Sequence, residues 1–352
     1  MIGTFLPWQQ TLAKRWLSQQ DTMPHALLVH GLSGIGKRQF ALSMAQALLC
    51  ETRAPNSPDF ACGACDACHW VASGNHPDLM RVRPAALAAR EGMAQDVAAG
   101  AEGDTDSGGA AKKKLSEDLR VDQIRALEPW YHRATHRGRL RVVVIYPAQT
   151  MNTVTANALL KALEEPPPET IFFLVTDALD HLLPTVLSRC QKLTVPVPDQ
   201  AQSLAWLEQA SVDHAAQWLA AAGGAPLRAL EMSQQQSQPC PAWAVDLMAQ
   251  VVQPKSAAVG KLADELAKQP AVEWLSVLQR LSLDVTLANA GLSVRYYPHL
   301  STALQQRAGQ GSLAHWSGLA SWMGQQMPLA THPLNAKLFA HSCLQRFCDR
   351  PL

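Results

Sequence analysis

Gly31-Leu-Ser-Gly34-Ile-Gly36-Lys37-Arg38 decides the reading of this chain. The spacing Gly-x4-Gly-Lys is that of a loop whose backbone N–H groups wrap phosphates while the lysine reaches toward them. The position after the lysine ordinarily carries a Ser or Thr hydroxyl for Mg²⁺, and here it carries Arg38, which cannot ligate a cation. The flanks fit a phosphate loop. Ala26-Leu-Leu-Val-His30 is a short apolar strand, and Lys37 to Leu49 reads as a helix with Phe40, Met44, Ala47 and Leu48 on one side.

Further strand-like runs stand at Leu79 to Val82, Arg141 to Tyr146, Thr170 to Thr176 and Lys192 to Val197. Helical patterns separate them at Asp122 to His132, Thr153 to Glu165 and Leu182 to Ser188, with Asp122 and Asn152 or Thr153 as N-caps. Alternation of this kind predicts an α/β fold with a parallel sheet. Residues 85–114, rich in Ala, Gly and Asp and ending in Lys112-Lys113-Lys114, read as a disordered surface insertion. After Val197 the strands stop. Two short helices are expected over Asp199 to Ala222, closed by Gly223-Gly224 and Pro226; Ser233 to Gln238 reads as a Gln-rich linker. Pro241 to Leu352 is helical throughout, with core stripes Trp274, Leu278, Leu281, Val285 and Phe339, Cys343, Phe347.

With 352 residues, two or three domains are expected. The formal net charge of +1 gives no global attraction to nucleic acid, so a DNA contact requires a local patch or a partner. No run of about 18 apolar residues exists to cross a membrane. Met1 to Trp16 lacks the apolar run and small-residue site of a signal peptide, so a cytoplasmic protein is expected.

Cys62-Gly-Ala-Cys65-Asp-Ala-Cys68 places three thiols at x2 spacing, with Cys50 upstream at the end of the first helix. Thiolates two residues apart on a tight turn grip one tetrahedral ion, and Cys50 can fold back to complete the shell. Four thiolates leave no open position for water, which makes the zinc structural. An iron–sulfur cluster shares the spacing, but no Cys-Pro follows Cys68. His69 or His76 in place of Cys50 is a further alternative. Cys190, Cys240, Cys343 and Cys348 read as plain buried or surface thiols.

An ATP-hydrolysing loop of this type is partnered by an acidic residue at the end of a neighbouring strand. Arg141-Val-Val-Val-Ile145 is that strand by pattern, and it ends in Tyr146-Pro147-Ala148-Gln149 without a carboxylate. Two losses, at Arg38 and here, argue against hydrolysis at the chain's own site. Lys37 and the loop glycines leave nucleotide binding open.

Asn157-Ala-Leu-Leu-Lys-Ala-Leu-Glu-Glu-Pro-Pro167 resembles the signature helix of the bacterial clamp-loader family, and Ser188-Arg189-Cys190 is similar to that family's Ser-Arg-Cys motif. The cysteines lie where the family inserts its zinc module, directly after the loop helix. The resemblance covers roughly the first two hundred residues, one P-loop module by size. It implies a P-loop AAA+ sheet over 1–197 with a zinc module near 50–78, a small helical lid over 198–238 around Gly223-Gly224-Ala-Pro226-Leu-Arg228, and an all-α collar over 239–352. Within the family, ATPase subunits (gamma/tau) keep Lys-Thr and an acidic strand end; another subunit type keeps the fold with a degenerate site, and this chain resembles the second.

The resemblance further implies a non-hydrolysing subunit of the DNA polymerase III holoenzyme. Its partners would be gamma/tau and delta in a hetero-pentameric ring, and through them the sliding clamp and primed DNA. Zn²⁺ would be held by Cys50, Cys62, Cys65 and Cys68. Gly31, Gly34, Gly36 and Lys37 would form a degenerate loop for ATP or ADP, with Arg228 as a lid sensor and Thr176 at a strand-end sensor position. Arg189 would act in trans as an arginine finger on a neighbour's γ-phosphate; taken alone it reads first as a salt-bridge partner, and Ser188, Cys190 and the preceding helix favour the finger. Lys161 and Glu164 are expected to pair on an exposed helix face.

Overall fold

The computed structural model describes residues 4–92, 115–131, 133–136, 140–250, 256–332 and 334–349. The chain folds as two compact units, Met1–Pro198 and Asp199–Leu352.

In the first unit, five strands form one wholly parallel sheet: β1 (Ala26–His30), β2 (Leu79–Val82), β3 (Arg141–Ile145), β4 (Thr170–Thr176) and β5 (Gln191–Thr194), in the order β2-β3-β4-β1-β5. The central strands β1, β3 and β4 are apolar on both faces because helices cover both. Val142 to Ile145 and Phe172 to Leu174 have no solvent exposure at all. The helices are α1 (Gln10–Leu17), α2 (Lys37–Leu49), α3 (Asp66–Ser73), α4 (Ala85–Arg90), α5 (Val121–Arg125), α6 (Leu127–Tyr131), α7 (Thr153–Glu164) and α8 (Pro184–Leu187).

Helix α2 runs over the residues expected of it, almost wholly buried. Asn152 caps α7 by accepting the Thr155 N–H at 2.8 Å, and Pro166 to Pro168 prevent the helix from continuing. Four expectations need correction. The segment 122–132 is two short helices, because Pro129 has no N–H for the Arg125 carbonyl; His132 lies outside the described residues. Asp122 is not a cap: Arg120 holds that position, and Asp122 sits inside the first turn where its charge favours the helix N-terminus. Strand β5 stops at Thr194, ahead of Pro196 and Pro198, which cannot donate to a ladder. The expected disordered insertion begins too early, since Ala85–Arg90 is helix α4, an alanine-rich stretch tied back by the Ala86 N–H to the Ser116 carbonyl at 3.0 Å. Residues 93–114, with the three lysines, lie outside the described residues.

Among its described residues the second unit is helical: α9 (Gln200–Gln209), α10 (Ala215–Ala221), α11 (Pro226–Gln235), α12 (Ala242–Gln250), α13 (Ser256–Leu266), α14 (Ala271–Asn289), α15 (Ser301–Ala308), α16 (Leu313–Gln326) and α17 (Ala336–Cys348). Ser233 to Gln235, expected in a linker, complete α11. Leu207, Trp218, Leu219 and Ala229 make a small core among α9 to α11. A larger core contains both expected stripes, with Trp274 and Phe339 rings 5.6 Å apart. Met232 packs against both cores.

One polar anchor stands inside this apolar unit. Asp284 on α14 is fully buried and accepts the N–H groups of Arg295, Tyr296 and Tyr297 at 2.8–3.1 Å, which fixes the turn before α15. Burial raises its carboxyl above the usual carboxylate range, although the three donors pull the other way. Asp284→Ala strands those N–H groups. The expected cost is about 2–4 kcal/mol in the urea unfolding of the chain, and a change below about 0.5 kcal/mol contradicts the anchoring role.

Candidate functional site

The glycine loop joins the C-terminal end of β1 to the N-terminus of α2, where unpaired N–H groups and the helix dipole favour an anion. Gly36 occupies the N-cap with φ of 89°, a left-handed backbone that side chains other than glycine rarely adopt. At Gly31 a Cβ would stand 3.0 Å from the Val195 carbonyl. The segment before α1 braces the loop from behind. Trp8 Nε1 donates to the Ile35 carbonyl at 3.0 Å, and buried Gln9 donates to Ile35 and Gly36 at 3.1 and 3.0 Å.

Lys37 is 4% exposed, and its ammonium is already engaged. It donates to the Gly31 and Leu32 carbonyls at 2.7 and 2.6 Å and pairs with the Asp177 carboxylate at 2.5 Å. The other Asp177 oxygen accepts the Ser33 hydroxyl at 2.9 Å. Arg38 turns away from the loop to Glu91 at 2.6 Å, just past α4. Glu91 also receives buried Arg83 at 3.0 Å and the Tyr146 hydroxyl at 3.0 Å. The residue replacing the hydroxyl and the residue just after β3 therefore share one carboxylate. Burial lifts the Tyr146 phenol well above its ordinary value.

Thr176 is buried, and its hydroxyl is taken locally by the Ala178 carbonyl at 2.9 Å. Asp177, immediately after it, is tied to the turn that follows β3 by its N–H to Gln149 Oε1 at 3.3 Å. Sequence reasoning missed Asp177, Glu91 and Arg83. Asp177 meets Ser33, and Glu91 meets Arg38 and Tyr146, across 53 to 144 residues of chain, and no local pattern marks such pairings.

The four cysteines Cys50, Cys62, Cys65 and Cys68 come together with all Sγ atoms within 4.8 Å of one another. Two of the separations, Cys50 to Cys65 and Cys62 to Cys68, are 4.0 and 3.9 Å. A tetrahedral ion with metal–sulfur bonds of about 2.3 Å requires edges of about 3.8 Å, so the donor set fits. The sulfurs also accept backbone N–H groups. Cys62 N–H points at Cys50 at 3.4 Å, and the Ala64 and Cys65 N–H groups point at Cys62 at 3.3 Å. The Thr52 hydroxyl, then these two N–H groups, draw the Cys62 thiol down to about 6, favouring the thiolate a metal needs. His69 and His76 are not members of the group. Burial pushes Cys190 up to about 11 and Cys240 and Cys343 up to about 12, as expected of inert thiols.

Arg189 follows α8 with its guanidinium held by Glu164 at 2.5 Å and by the Thr185 carbonyl at 2.9 Å. About a third of its side chain remains exposed. The expected Lys161–Glu164 pair is not formed: Glu164 takes Arg189, and Lys161 reaches Glu128 at 3.4 Å. Arg228 on α11 lies in a part-buried setting, where desolvation and the nearby Arg280 charge lower its pKa.

Together these features define a parallel α/β protein with an anion-type glycine loop and a four-thiol cluster, followed by an all-helical unit. A family model described as "DNA polymerase III, delta subunit" matches residues 9–199, and the chain belongs to that family. The DNA polymerase III subunit delta' of Pseudomonas aeruginosa is 35% identical over 232 residues, 65% of this chain and 61% of that protein. The delta' subunit of Haemophilus influenzae is 29% identical over 214 residues, 60% of this chain and 55% of its own length. The tau subunit of Escherichia coli is 30% identical over 178 residues, 51% of this chain and 22% of that protein. The matched region thus covers less than two thirds of the length of each. The resemblance carried by the signature helix and the Ser-Arg-Cys motif pointed to the same kind of subunit.

Proposed function

We propose that the chain is a delta'-type clamp-loader component with a P-loop AAA+ module over 1–197, a lid over 198–238 and a collar over 239–352, which does not hydrolyse ATP. The observation that carries the reading is the engagement of the loop's own cations. Lys37 is held by Asp177 and Arg38 by Glu91, while β3 is followed by Tyr146, a residue that supplies no carboxylate for Mg²⁺. The carboxylates beside the loop are already taken, Asp177 by Lys37 and Ser33 and Glu91 by Arg38, Arg83 and Tyr146, so on this reading neither holds Mg²⁺ or activates water.

The useful group is then Arg189, which stays charged and offers a planar fork of donors. On this reading it serves as a trans finger for a gamma/tau ATPase subunit, in a ring that also contains delta and that places the sliding clamp on primed DNA. Its exposed pair with Glu164 is worth no more than about 1 kcal/mol, so a neighbour's phosphate can take the guanidinium over. Cys50, Cys62, Cys65 and Cys68 would hold Zn²⁺, which when bound closes the segment between α2 and α3. With the loop silent, Arg228 would pin the lid rather than sense a nucleotide. No described helix is long and apolar enough to cross a membrane, in keeping with a cytoplasmic complex.

The test is turnover of Mg-ATP by the purified chain. Background release of phosphate, unchanged in Lys37→Ala, is expected. Turnover that Lys37→Ala abolishes contradicts the reading.

A further inference from the structure

The contacts of Lys37 account for all three of its N–H donors: two go to loop carbonyls and the third to Asp177. The partner is notable for how it is held. One carboxylate oxygen receives the buried ammonium and the other receives the Ser33 hydroxyl from within the glycine loop, at 2.5 and 2.9 Å. Two oxygens of one anionic group, gripped by a loop hydroxyl and the loop lysine, reproduce what two oxygens of a phosphoryl group would receive there. The anion is also covalently attached. Asp177 directly follows β4, the neighbour of β1, with its backbone N–H held by Gln149 and the preceding Thr176 hydroxyl locked onto Ala178. A ligand tethered so closely competes at an effective concentration of millimolar or higher against any free anion.

We propose that Asp177 is an intramolecular occupant of the glycine loop, an autoinhibitory contact that keeps phosphate-bearing ligands from Lys37. The inference deepens the reading of the loop as catalytically silent: the cradle is not dismantled but filled. The Asp177 side chain is 44% exposed while that of Lys37 is 3% exposed, so the carboxylate is the member of the pair that can swing away. Its departure leaves a buried ammonium unpaired, and that cost is what an incoming phosphate relieves.

The test is calorimetric titration of ATP, in EDTA, into the wild-type full chain, Asp177→Asn and the double variant Asp177→Asn/Lys37→Ala. Asparagine keeps the side-chain volume and removes the charge. Asp177→Asn is expected to bind about tenfold or more tightly than wild type, and the gain is expected to vanish in the double variant. If asparagine leaves the chain unfolded by circular dichroism, Asp177→Ser serves the same comparison. Equal affinity in wild type and variant, or a gain that survives Lys37→Ala, overturns the proposal. Mg-ATP turnover by the wild-type chain would instead defeat the silent-site reading and leave this comparison intact, so the two failures are distinguishable.

Discussion

Cys62→Ser is expected to empty the thiol cluster. Wild-type chain purified without chelator should carry about one zinc ion, and the variant close to none. The sulfurs already stand 3.9 and 4.0 Å apart across the two pairs, so little reorganisation accompanies metal binding, and most of its free energy appears as stability. A serine hydroxyl stays protonated at neutral pH and supplies no comparable ligand. From Cys50 to α3 the buried apolar side chains outside the thiol cluster are Ala67 and Val71, with Phe60 packed on Phe5, so the ion would add a substantial tie across the segment. The expected loss is about 3 kcal/mol, which for a unit of this size lowers the thermal midpoint by about 6–12 °C. Inductively coupled plasma analysis and a thermal scan read both effects. Wild-type chain without bound metal, or a variant that keeps its ion, contradicts the assignment.

The second large effect is expected at Arg189. If its guanidinium reaches a neighbour's γ-phosphate, Arg189→Ala removes charge stabilisation present only in the transition state. The clamp- and DNA-stimulated ATPase of a reconstituted loader should fall by about 10³-fold, the lower end for trans-acting arginines. Arg189→Lys should restore little, because a single ammonium does not reproduce the fork. The alternative, that Arg189 only braces α7 through Glu164, predicts that Glu164→Gln and Arg189→Ala behave alike and that both leave ATP turnover intact. Since the pair is exposed, neither should change the chain's own stability by more than about 1 kcal/mol, so a lost rate would not be a folding defect.

The central strands were legible because they are buried on both faces and read as unbroken apolar runs, as in Val142 to Ile145. Helix α2 was legible because glycine and lysine spacing marks its start. The thiol cluster was legible because its ligands announce themselves by type and spacing. What failed depended on single residues acting against a pattern: Pro129 splitting a helix, and Ala85–Arg90 folding as α4 despite sitting at the edge of a low-complexity stretch. The state of the glycine loop was not legible at all. Lys37 looked available in sequence, and only the return of β4 beside β1 brings Asp177 to it. Likewise, Glu164 resembled the partner of Lys161 one turn away, and only the packing of α8 near α7 gives it Arg189 instead. Contacts across the fold decide both cases, and helical spacing carries no information about them.

The central claim is that this chain supplies an arginine and not a catalytic loop. The most direct measurement compares Lys37→Ala and Arg189→Ala, each assembled with gamma/tau and delta subunits, by DNA-stimulated phosphate release. A rate near wild type is expected for Lys37→Ala and a fall of about 10³-fold for Arg189→Ala. The reverse pattern, with turnover lost at Lys37 and kept at Arg189, would contradict it.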